Sequence, residues 1–363
     1  MREASVDPRI DFPTFQPASG TQYLPRYEIE QDIWKALRSG KDVIVSGPRR
    51  SGKTSLLRSI CDRGAEEHAL WSESGPDREK IVCYVDAQHP RPERQLCDRL
   101  AAVLPKAIRP TAALLARSGG ADDELLTHYL HEVLGALQRA GIDVLLLIDE
   151  VDLPLRRSEP DLWRYFLNLL FRNGDICLVV TADAQNVDAL GIRGLDGKRA
   201  RIQNIELRPW NEREIRTLIK RAISDESLVI SLSKALAPAW PIEVMLVIHH
   251  LIEEGVPNAS EFASLLDDPE LTEYGRSLLS RALSGLDRSE TKIAMGLLNS
   301  IATQKSADSG TINVKREGQD DNLAKWLPIA RVLAQAGILA MNGRMIAAAT
   351  PVMLRAVLSL LGR

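Results

Sequence analysis

The chain has 363 residues, of which 45% are hydrophobic and 26% charged, with a formal net charge of −3. This composition indicates a soluble globular protein of two or three domains, and the charge excludes a protein that coats nucleic acid over its whole surface. The cysteines lack Cys-x-x-Cys spacing, which argues against a zinc site and a disulfide framework. They are Cys61, Cys83, Cys97 and Cys177.

The first twenty residues are polar, contain three prolines and show no apolar signal-peptide region. We expect residues 1–20 to form an extended or disordered arm. No apolar run in the chain reaches transmembrane length, so we expect no membrane segment and a cytoplasmic protein. The first folded domain is then predicted over residues 21–208.

A glycine-rich motif follows the first β-branched run of this domain. Four residues separate Gly47 from Gly52-Lys53-Thr54, and a helical apolar pattern follows. This spacing in a strand–loop–helix context predicts a phosphate-binding loop, because glycines and a helix start direct backbone N–H groups at one anion. We expect Lys53 to reach the β- and γ-phosphates of ATP and the Thr54 hydroxyl to ligate Mg²⁺. The predicted nucleotide-binding residues are Gly47, Pro48, Arg49, Arg50, Ser51, Gly52, Lys53, Thr54 and Ser55.

Two carboxylates end the next long apolar run. Residues 144–148 are all aliphatic, which is typical of a strand buried on both faces, and Asp149 and Glu150 follow directly. We predict that Asp149 holds the Mg²⁺ shell and that Glu150 polarises the attacking water, because phosphoryl transfer requires positioning and charge neutralisation. A solvated acid at a strand end is the alternative for Glu150.

Strands alternate with helices up to residue 208, which predicts a parallel sheet with helices on both faces. The other predicted strands are 81–86, 176–181 and 202–207. Their carboxyl ends should meet at the edge that carries the phosphate-binding loop. Thr181 is therefore a candidate to sense the γ-phosphate or hold the water, with Asp183 behind it. Asp86 either contacts the Mg²⁺ shell or caps its loop.

The remaining chain is predicted to form two smaller domains. Residues 209–284 read as a helical lid that begins at Asn211, with Glu214 as a capping-box acid. Residues 285–363 show helices followed by an Asn-Gly hairpin, the outline of a winged helix. This last segment has ten Lys/Arg against six Asp/Glu, a net charge of +4. The excess favours double-stranded DNA as its partner, and the alternative is contact with a protein or autoinhibition.

With these motifs placed, the chain resembles AAA+/STAND-type P-loop ATPases of the archaeal-ATPase branch and, more distantly, archaeal origin-recognition ATPases. The resemblance rests on residues 47–54 (GPRRSGKT), 84–86 (YVD), 147–150 (LIDE) and 207–210 (LRPW). It implies an α/β P-loop core, a helical lid and a C-terminal winged helix, with ATP and Mg²⁺ as ligands.

The resemblance also implies residues that read the nucleotide state. Many AAA+ proteins carry an arginine at the start of a lid helix, where this chain has Pro241, which looks like the proline-centred lid motif of STAND proteins. Arg199 and Arg201 lie where AAA+ relatives place an arginine finger, with a solvated basic loop as the alternative. A finger would require a neighbouring subunit. STAND proteins carry sensor repeats after the winged helix, so a sensor is expected on a separate polypeptide.

These features predict an ATP-binding and ATP-hydrolysing molecular switch that couples its nucleotide state to DNA or a partner protein through the winged helix. The alternative is a nucleotide-stabilised adaptor whose winged helix contacts a partner protein and which turns over little ATP. A metabolic kinase is disfavoured, because no acceptor-substrate site is recognisable.

Overall fold

The computed structural model describes residues 17–18, 23–73, 78–110, 123–156, 161–171, 173, 176–187, 190, 202–253, 269–304, 311–313, 320–342 and 345–361. The chain divides into two compact units. We call Pro25–Ser46 with Lys53–Leu207 the sheet unit, and Met1–Leu24, Gly47–Gly52 and Arg208–Arg363 the helical unit. Within the described ranges, no helix is long and apolar enough to cross a membrane.

The sheet unit is an α/β structure built around a five-stranded sheet. Its described helices are α1 (Tyr27–Arg38), α2 (Lys53–Glu66), α3 (Pro92–Val103), α4 (Asp123–Ala140) and α5 (Asp161–Leu170). The strands are β1 (Asp42–Gly47), β2 (Glu79–Asp86), β3 (Ile142–Asp149), β4 (Ile176–Asp183) and β5 (Ile202–Glu206). The strand order is β2-β3-β4-β1-β5, with parallel pairing in β2–β3, β3–β4 and β1–β5. This confirms the predicted parallel α/β core.

Strand β3 shows why its sequence is apolar at nearly every position. Its side chains alternate between the two faces of the sheet, as the strand period of two requires. Leu146 and Ile148 belong to a hydrophobic core that includes residues of α3, α4 and α5. Leu145 points to the other face, where its Cδ2 atom would lie 2.9 Å from a Cβ atom added at Gly64 of α2. The strand is therefore covered by helices on both sides.

Helix α2 includes a polar last turn. The helix continues to Glu66, and β2 begins at Glu79. The Trp71 indole N–H donates a buried hydrogen bond of 2.9 Å to the carbonyl of Gly64. This tertiary contact and the close packing of Gly64 on the sheet stabilise a turn that its own sequence leaves polar.

The helical unit begins as predicted. Its first described helices are α6 (Glu212–Ala222), α7 (Glu226–Leu236), α8 (Pro241–Glu253) and α9 (Pro269–Ser284). The capping box at the start of α6 is confirmed, because the Asn211 side chain accepts from the N–H of Glu214 while the Glu214 side chain accepts from the N–H of Asn211. Helix α9 was not predicted from the sequence.

The C-terminal part of this unit has the winged-helix arrangement. Its elements are α10 (Arg288–Gln304), β6 (Thr311–Asn313), α11 (Asp320–Gln335), β7 (Leu339–Asn342), β8 (Met345–Ala348) and α12 (Pro351–Leu360). The three short strands form an antiparallel sheet in the order β6-β8-β7. The predicted hairpin is present, and Gly343 of its turn lies outside the described residues.

Helix α9 packs closely on the final helix through a glycine. A Cβ atom added at Gly275 would lie 2.5 Å from the Cβ atom of Ala356 in α12, which is closer than two carbon atoms can approach. The absence of a side chain at Gly275 thus permits the two helices to touch.

We expect Gly275→Ala to lower the free energy of unfolding by about 1–3 kcal/mol, because overpacking forces the helices apart. Gly296→Ala in α10 is the matched control, since nothing lies within 4 Å of a Cβ atom added there. That change should raise the free energy of unfolding by about 0.5–1 kcal/mol through helix propensity. Urea unfolding followed by circular dichroism measures both. Equal stabilisation by the two substitutions would contradict the close packing.

Candidate functional site

The carboxyl ends of β3 and β4 bring together the predicted catalytic side chains. The parallel register pairs Leu147 with Val179 and Ile148 with Val180, so the residues that follow lie side by side. The fully buried Thr181 hydroxyl donates to a carboxylate oxygen of Asp149. The same hydroxyl accepts from the backbone N–H of Glu150 at 2.8 Å. Thr181 thereby holds the carboxylate of Asp149 and the backbone of Glu150.

Asp149 is held from the other side by β2. Its side chain is 1% exposed, and its second carboxylate oxygen accepts from the Tyr84 hydroxyl at 3.2 Å. Burial raises the pKa of Tyr84, and the neighbouring Asp149 charge raises it further, so the phenol remains a donor at neutral pH. Hydroxyls on two neighbouring strands therefore set the orientation of the Asp149 carboxylate.

Glu150 has a strained backbone. Its φ is +53°, in the left-handed region that non-glycine residues rarely adopt. The contact of its N–H with Thr181 is followed by a hydrogen bond from the Val151 N–H to the Thr181 carbonyl at 2.9 Å. These bonds hold the turn in a conformation that costs about 1–3 kcal/mol and that occurs most often at functional sites.

Lys53 lies at the first residue of α2 and is 5% exposed. Its ammonium nitrogen is 3.0 Å from a carboxylate oxygen of Asp183, the last residue of β4. The sequence placed Asp183 behind Thr181, and the structure makes it the ion-pair partner of Lys53. Thr54 and Ser55 follow, half-buried, in the first turn of α2. The start of α2 therefore carries both the positive end of the helix dipole and the charged residue Lys53.

The first part of the phosphate-binding loop lies in the helical unit and contains two left-handed residues. Gly52 has φ +94° and Arg50 has φ +63°, and the Ser51 N–H donates to the Pro48 carbonyl at 3.2 Å. A Cβ atom added at Gly52 would lie 3.5 Å from the ring of Pro241 at the start of α8. The structure therefore places Pro241, the predicted lid residue, against the loop.

A second contact joins this loop segment to the winged helix. A Cβ atom added at Gly337, between α11 and β7, would lie 2.8 Å from the ring of Pro48. The Trp240 indole N–H donates to the Gly337 carbonyl at 3.4 Å. No local sequence pattern indicates that Gly337 meets Pro48, because the two residues are far apart in the chain.

A buried carboxyl connects the first turns of α8 and α12. Glu243 is 0% exposed, and its oxygens accept from the Trp240 N–H at 2.7 Å and the Thr350 hydroxyl at 2.8 Å. Thr350 also caps α12 by accepting from the Met353 N–H at 3.1 Å. Burial raises the pKa of Glu243 to about 8, against the opposing effect of these two hydrogen bonds. Sequence analysis missed Glu243, although its spacing from Trp240 is that of a capping box.

The remaining predicted residues are placed as follows. Asp86 accepts from the Gln88 N–H at 2.9 Å, which is the loop-capping alternative. Arg199 and Arg201 lie outside the described residues. Among the residues that the structure describes, no group of three or more His, Cys, Asp or Glu side chains could hold a metal ion by itself.

We expect Thr181→Val to destabilise the protein by about 1–3 kcal/mol, because valine keeps the volume but leaves the Glu150 N–H without its acceptor. Thr181→Ser keeps the hydroxyl and should lose about 0.8 kcal/mol with one methyl group. Amide hydrogen exchange at Glu150 distinguishes the two, since it should accelerate in the valine variant alone. Unchanged exchange in Thr181→Val would refute the assigned contact.

The buried Glu243 makes stability depend on pH. With a folded-state pKa of about 8 against an ordinary value of 4.5, the folded protein keeps a proton that the unfolded chain releases. The free energy of unfolding therefore falls as the pH rises through this window, by at most about 1.4 kcal/mol per pH unit.

Glu243→Gln should remove this dependence, so that the variant gains stability relative to the native chain between about pH 5.5 and pH 8.5. Urea unfolding at both pH values measures the change. The control Glu273→Gln alters an exposed acid of α9. A stability difference between Glu243→Gln and the native chain that is constant with pH would contradict the prediction.

Comparison with known proteins agrees with this geometry. Residues 38–188 match a family model described as an AAA domain. The whole chain is similar to the Walker-type ATPase of Pyrococcus abyssi, with 14% identity, a TM-score of 0.56 and coverage of 94% of this chain and 98% of that one. It is also similar to the ORC2 protein of Aeropyrum pernix, solved as ADPNP–ADP complexes, with 16% identity, a TM-score of 0.56 and coverage of 94% and 96%. No curated protein sequence matches significantly.

At these identities the structural likeness shows the fold, and it extends over nearly the full length of each chain. The family match covers β1, the phosphate-binding loop, Asp149 and Thr181. Residues 38–188 are therefore similar to an AAA domain, and the chain shares its fold with an archaeal Walker-type ATPase and an archaeal ORC protein.

Proposed function

We propose that this protein is an ATP- and Mg²⁺-dependent molecular switch that hydrolyses ATP and passes its nucleotide state to the winged helix, which contacts double-stranded DNA or a partner protein. One observation carries the proposal. The buried Thr181 hydroxyl holds Asp149 and Glu150 at the carboxyl edge of the sheet, and β4 ends two residues later in the partner of Lys53.

The loop Gly47–Ser55 would bind the phosphates of ATP or ADP, with Lys53 supplying the positive charge. The fit to Mg²⁺ rests on the donor set: the Thr54 hydroxyl and the Asp149 carboxylate offer the hard oxygen atoms that this cation prefers. The two hydroxyl contacts of Asp149 fix its carboxylate without neutralising it. Bound Mg²⁺ would offset negative charge on the phosphates.

Glu150 is the proposed base that orients the attacking water. It follows β3 directly with a left-handed backbone, and Thr181 holds that turn through the Glu150 N–H. A carboxylate in this role accepts a hydrogen bond from the water and leaves the phosphoryl group to the positive charges around it. Arg199 and Arg201 stay predicted as residues that a neighbouring subunit would contribute.

The coupling proposal rests on contacts inside the helical unit. The loop segment Gly47–Gly52 adjoins both Pro241 at the start of α8 and Gly337 before β7. Packed contacts of this kind cannot absorb a displacement of the loop without a shift of their neighbours. A change in the loop on nucleotide exchange would therefore reach the lid helix and the winged helix together. The net charge of +4 over residues 285–363 favours DNA as the partner.

The test is ATP hydrolysis by the full chain with and without double-stranded DNA, at low and physiological salt. Glu150→Gln should retain ATP binding and lose at least about 100-fold in turnover, the scale of a lost general base. Lys53→Ala should lose ATP binding. The matched control, Glu79→Gln, changes an exposed acid at the opposite end of β2 and should hydrolyse ATP at the native rate.

An unchanged rate in Glu150→Gln would place the base elsewhere, and tight ATP binding by folded Lys53→Ala would refute the site. Binding without turnover in every condition would favour the adaptor, for which the contact of the loop with Gly337 supplies a structural basis. Stimulation of hydrolysis by DNA, lost in Glu150→Gln, would support a DNA-coupled switch.

A further inference from the structure

The exposed side of α9 bounds a groove, and the proposed function assigns no role to this side of the helix. Two cavities of about 550 Å³ each share Glu273, Ser277 and Arg281 in their walls. One cavity extends to Arg49 and Arg50 of the phosphate-binding loop, and the other extends along α9 to Ser284. We call this continuous surface the α9 groove. All of its walls belong to the helical unit.

The polar residues of the groove follow the helical period. Glu273, Ser277, Arg281 and Ser284 are exposed and recur every three or four residues, so they form one face of α9. The opposite face is buried, where Gly275 packs on the last helix. The packing of the buried face on the last helix therefore fixes the orientation of the polar face toward the groove.

The end of the groove at the phosphate-binding loop is also positioned. The guanidinium carbon of Arg50 lies 6.0 Å from the ring centre of Tyr274, which is a cation–π distance. Its left-handed backbone, with φ +63°, contributes to this placement. An arginine of the phosphate-binding loop is thus directed toward α9.

The groove is strongly basic in a chain that is slightly acidic. Four arginines line it against one acid, Glu273, which gives a local net charge of +3 where the whole chain has −3. The arginines are Arg49, Arg50, Arg276 and Arg281. Within the described part of the chain, Arg276 and Arg281 form no ion pair, and Arg276 donates a hydrogen bond to the Ser359 hydroxyl. Serine hydroxyls at positions 277 and 280 add neutral donors, whereas the Ser284 hydroxyl donates to the Arg281 carbonyl at 2.9 Å.

We propose that the α9 groove binds the sugar–phosphate backbone of a nucleic acid. Arginine forks and serine hydroxyls are typical phosphate ligands, and such contacts carry no base sequence. The face from Glu273 to Ser284 spans about 16 Å at 1.5 Å per residue, the axial length of about five base pairs of a duplex. This surface is distinct from α11 and the β7–β8 hairpin of the winged helix, and its occupation does not require ATP hydrolysis.

The experiment measures binding of the full chain to a fluorescent DNA duplex of about 20 base pairs over a range of salt concentrations. Arg276→Ala/Arg281→Ala should weaken binding at least about tenfold at 0.1 M salt and reduce the slope of log K against log salt by about two, one for each phosphate contact. The loss should be equal for two duplexes of unrelated sequence. A single strand of the same length shows whether the backbone is read in duplex or single-stranded form.

The matched control is Arg213→Ala, which removes an exposed arginine of α6 outside the groove and should change neither affinity nor slope. Ser277→Asp adds a negative charge without removing an arginine and should also weaken binding. Melting temperatures verify that each variant is folded.

Three results would overturn the proposal. The first is that the native chain binds neither form of DNA. The second is that the groove variants bind DNA as tightly as the native chain while Arg331→Ala in α11 binds it more weakly, which would assign the contact to the winged helix. The third is that poly-glutamate of the same charge binds in place of DNA, which would indicate an acidic protein partner. Because no step requires hydrolysis, failure of the ATPase test leaves this result intact.

Discussion

The arrangement of the site depends on one buried hydroxyl. Thr181 is fully buried at the end of β4, and its oxygen donates to Asp149 while it accepts from the Glu150 N–H. Tyr84 completes the arrangement from β2. Because the three strands are paired in parallel, side chains of the neighbouring strands set the orientation of the Asp149 carboxylate. Such preorganisation is what electrostatic catalysis of phosphoryl transfer requires.

The helical unit shows a related use of close packing. Gly337 and Gly52 lack the side chains that would separate the loop segment Gly47–Gly52 from its neighbours. Glu243 then joins the first turn of α8 to the cap of α12 through Thr350. Ionising a carboxyl in such a buried place is costly, which raises its pKa. The two hydrogen bonds that the carboxyl accepts offset part of this cost. Together these contacts form a continuous packed path from the loop segment Gly47–Gly52 to α12, along which the proposed switch would transmit its nucleotide state.

Helix α9 combines close packing with a polar surface. Its buried face packs on α12 through Gly275, and its polar face carries arginines and serines. Its buried residues Leu271, Tyr274, Leu279 and Ala282 recur at helical spacing, and we predicted this segment as part of the helical lid without assigning it a separate helix. The phosphate-binding loop thus has two neighbours. Arg50 lies beside the Tyr274 ring of α9, which has a polar face, and Gly52 lies beside the apolar ring of Pro241. The proposed binding of a phosphate backbone in the groove would thus occur next to the loop that is proposed to bind the nucleotide.

The sequence by itself determined the strands, the phosphate-binding loop, the two carboxylates after β3 and the capping box of α6, because each depends on residues within a few positions of one another. The extension of α2 to Glu66, the pairing of Lys53 with Asp183 and the bond between Glu243 and Thr350 were decided by tertiary structure. These features join residues distant in the chain, and a local pattern does not record which side chain the fold brings opposite another. The proposed roles of Asp149 and Glu150 follow from residue type and order in the chain. The Thr181 hydroxyl that contacts the Asp149 carboxylate and the Glu150 N–H became clear from the pairing of β3 with β4.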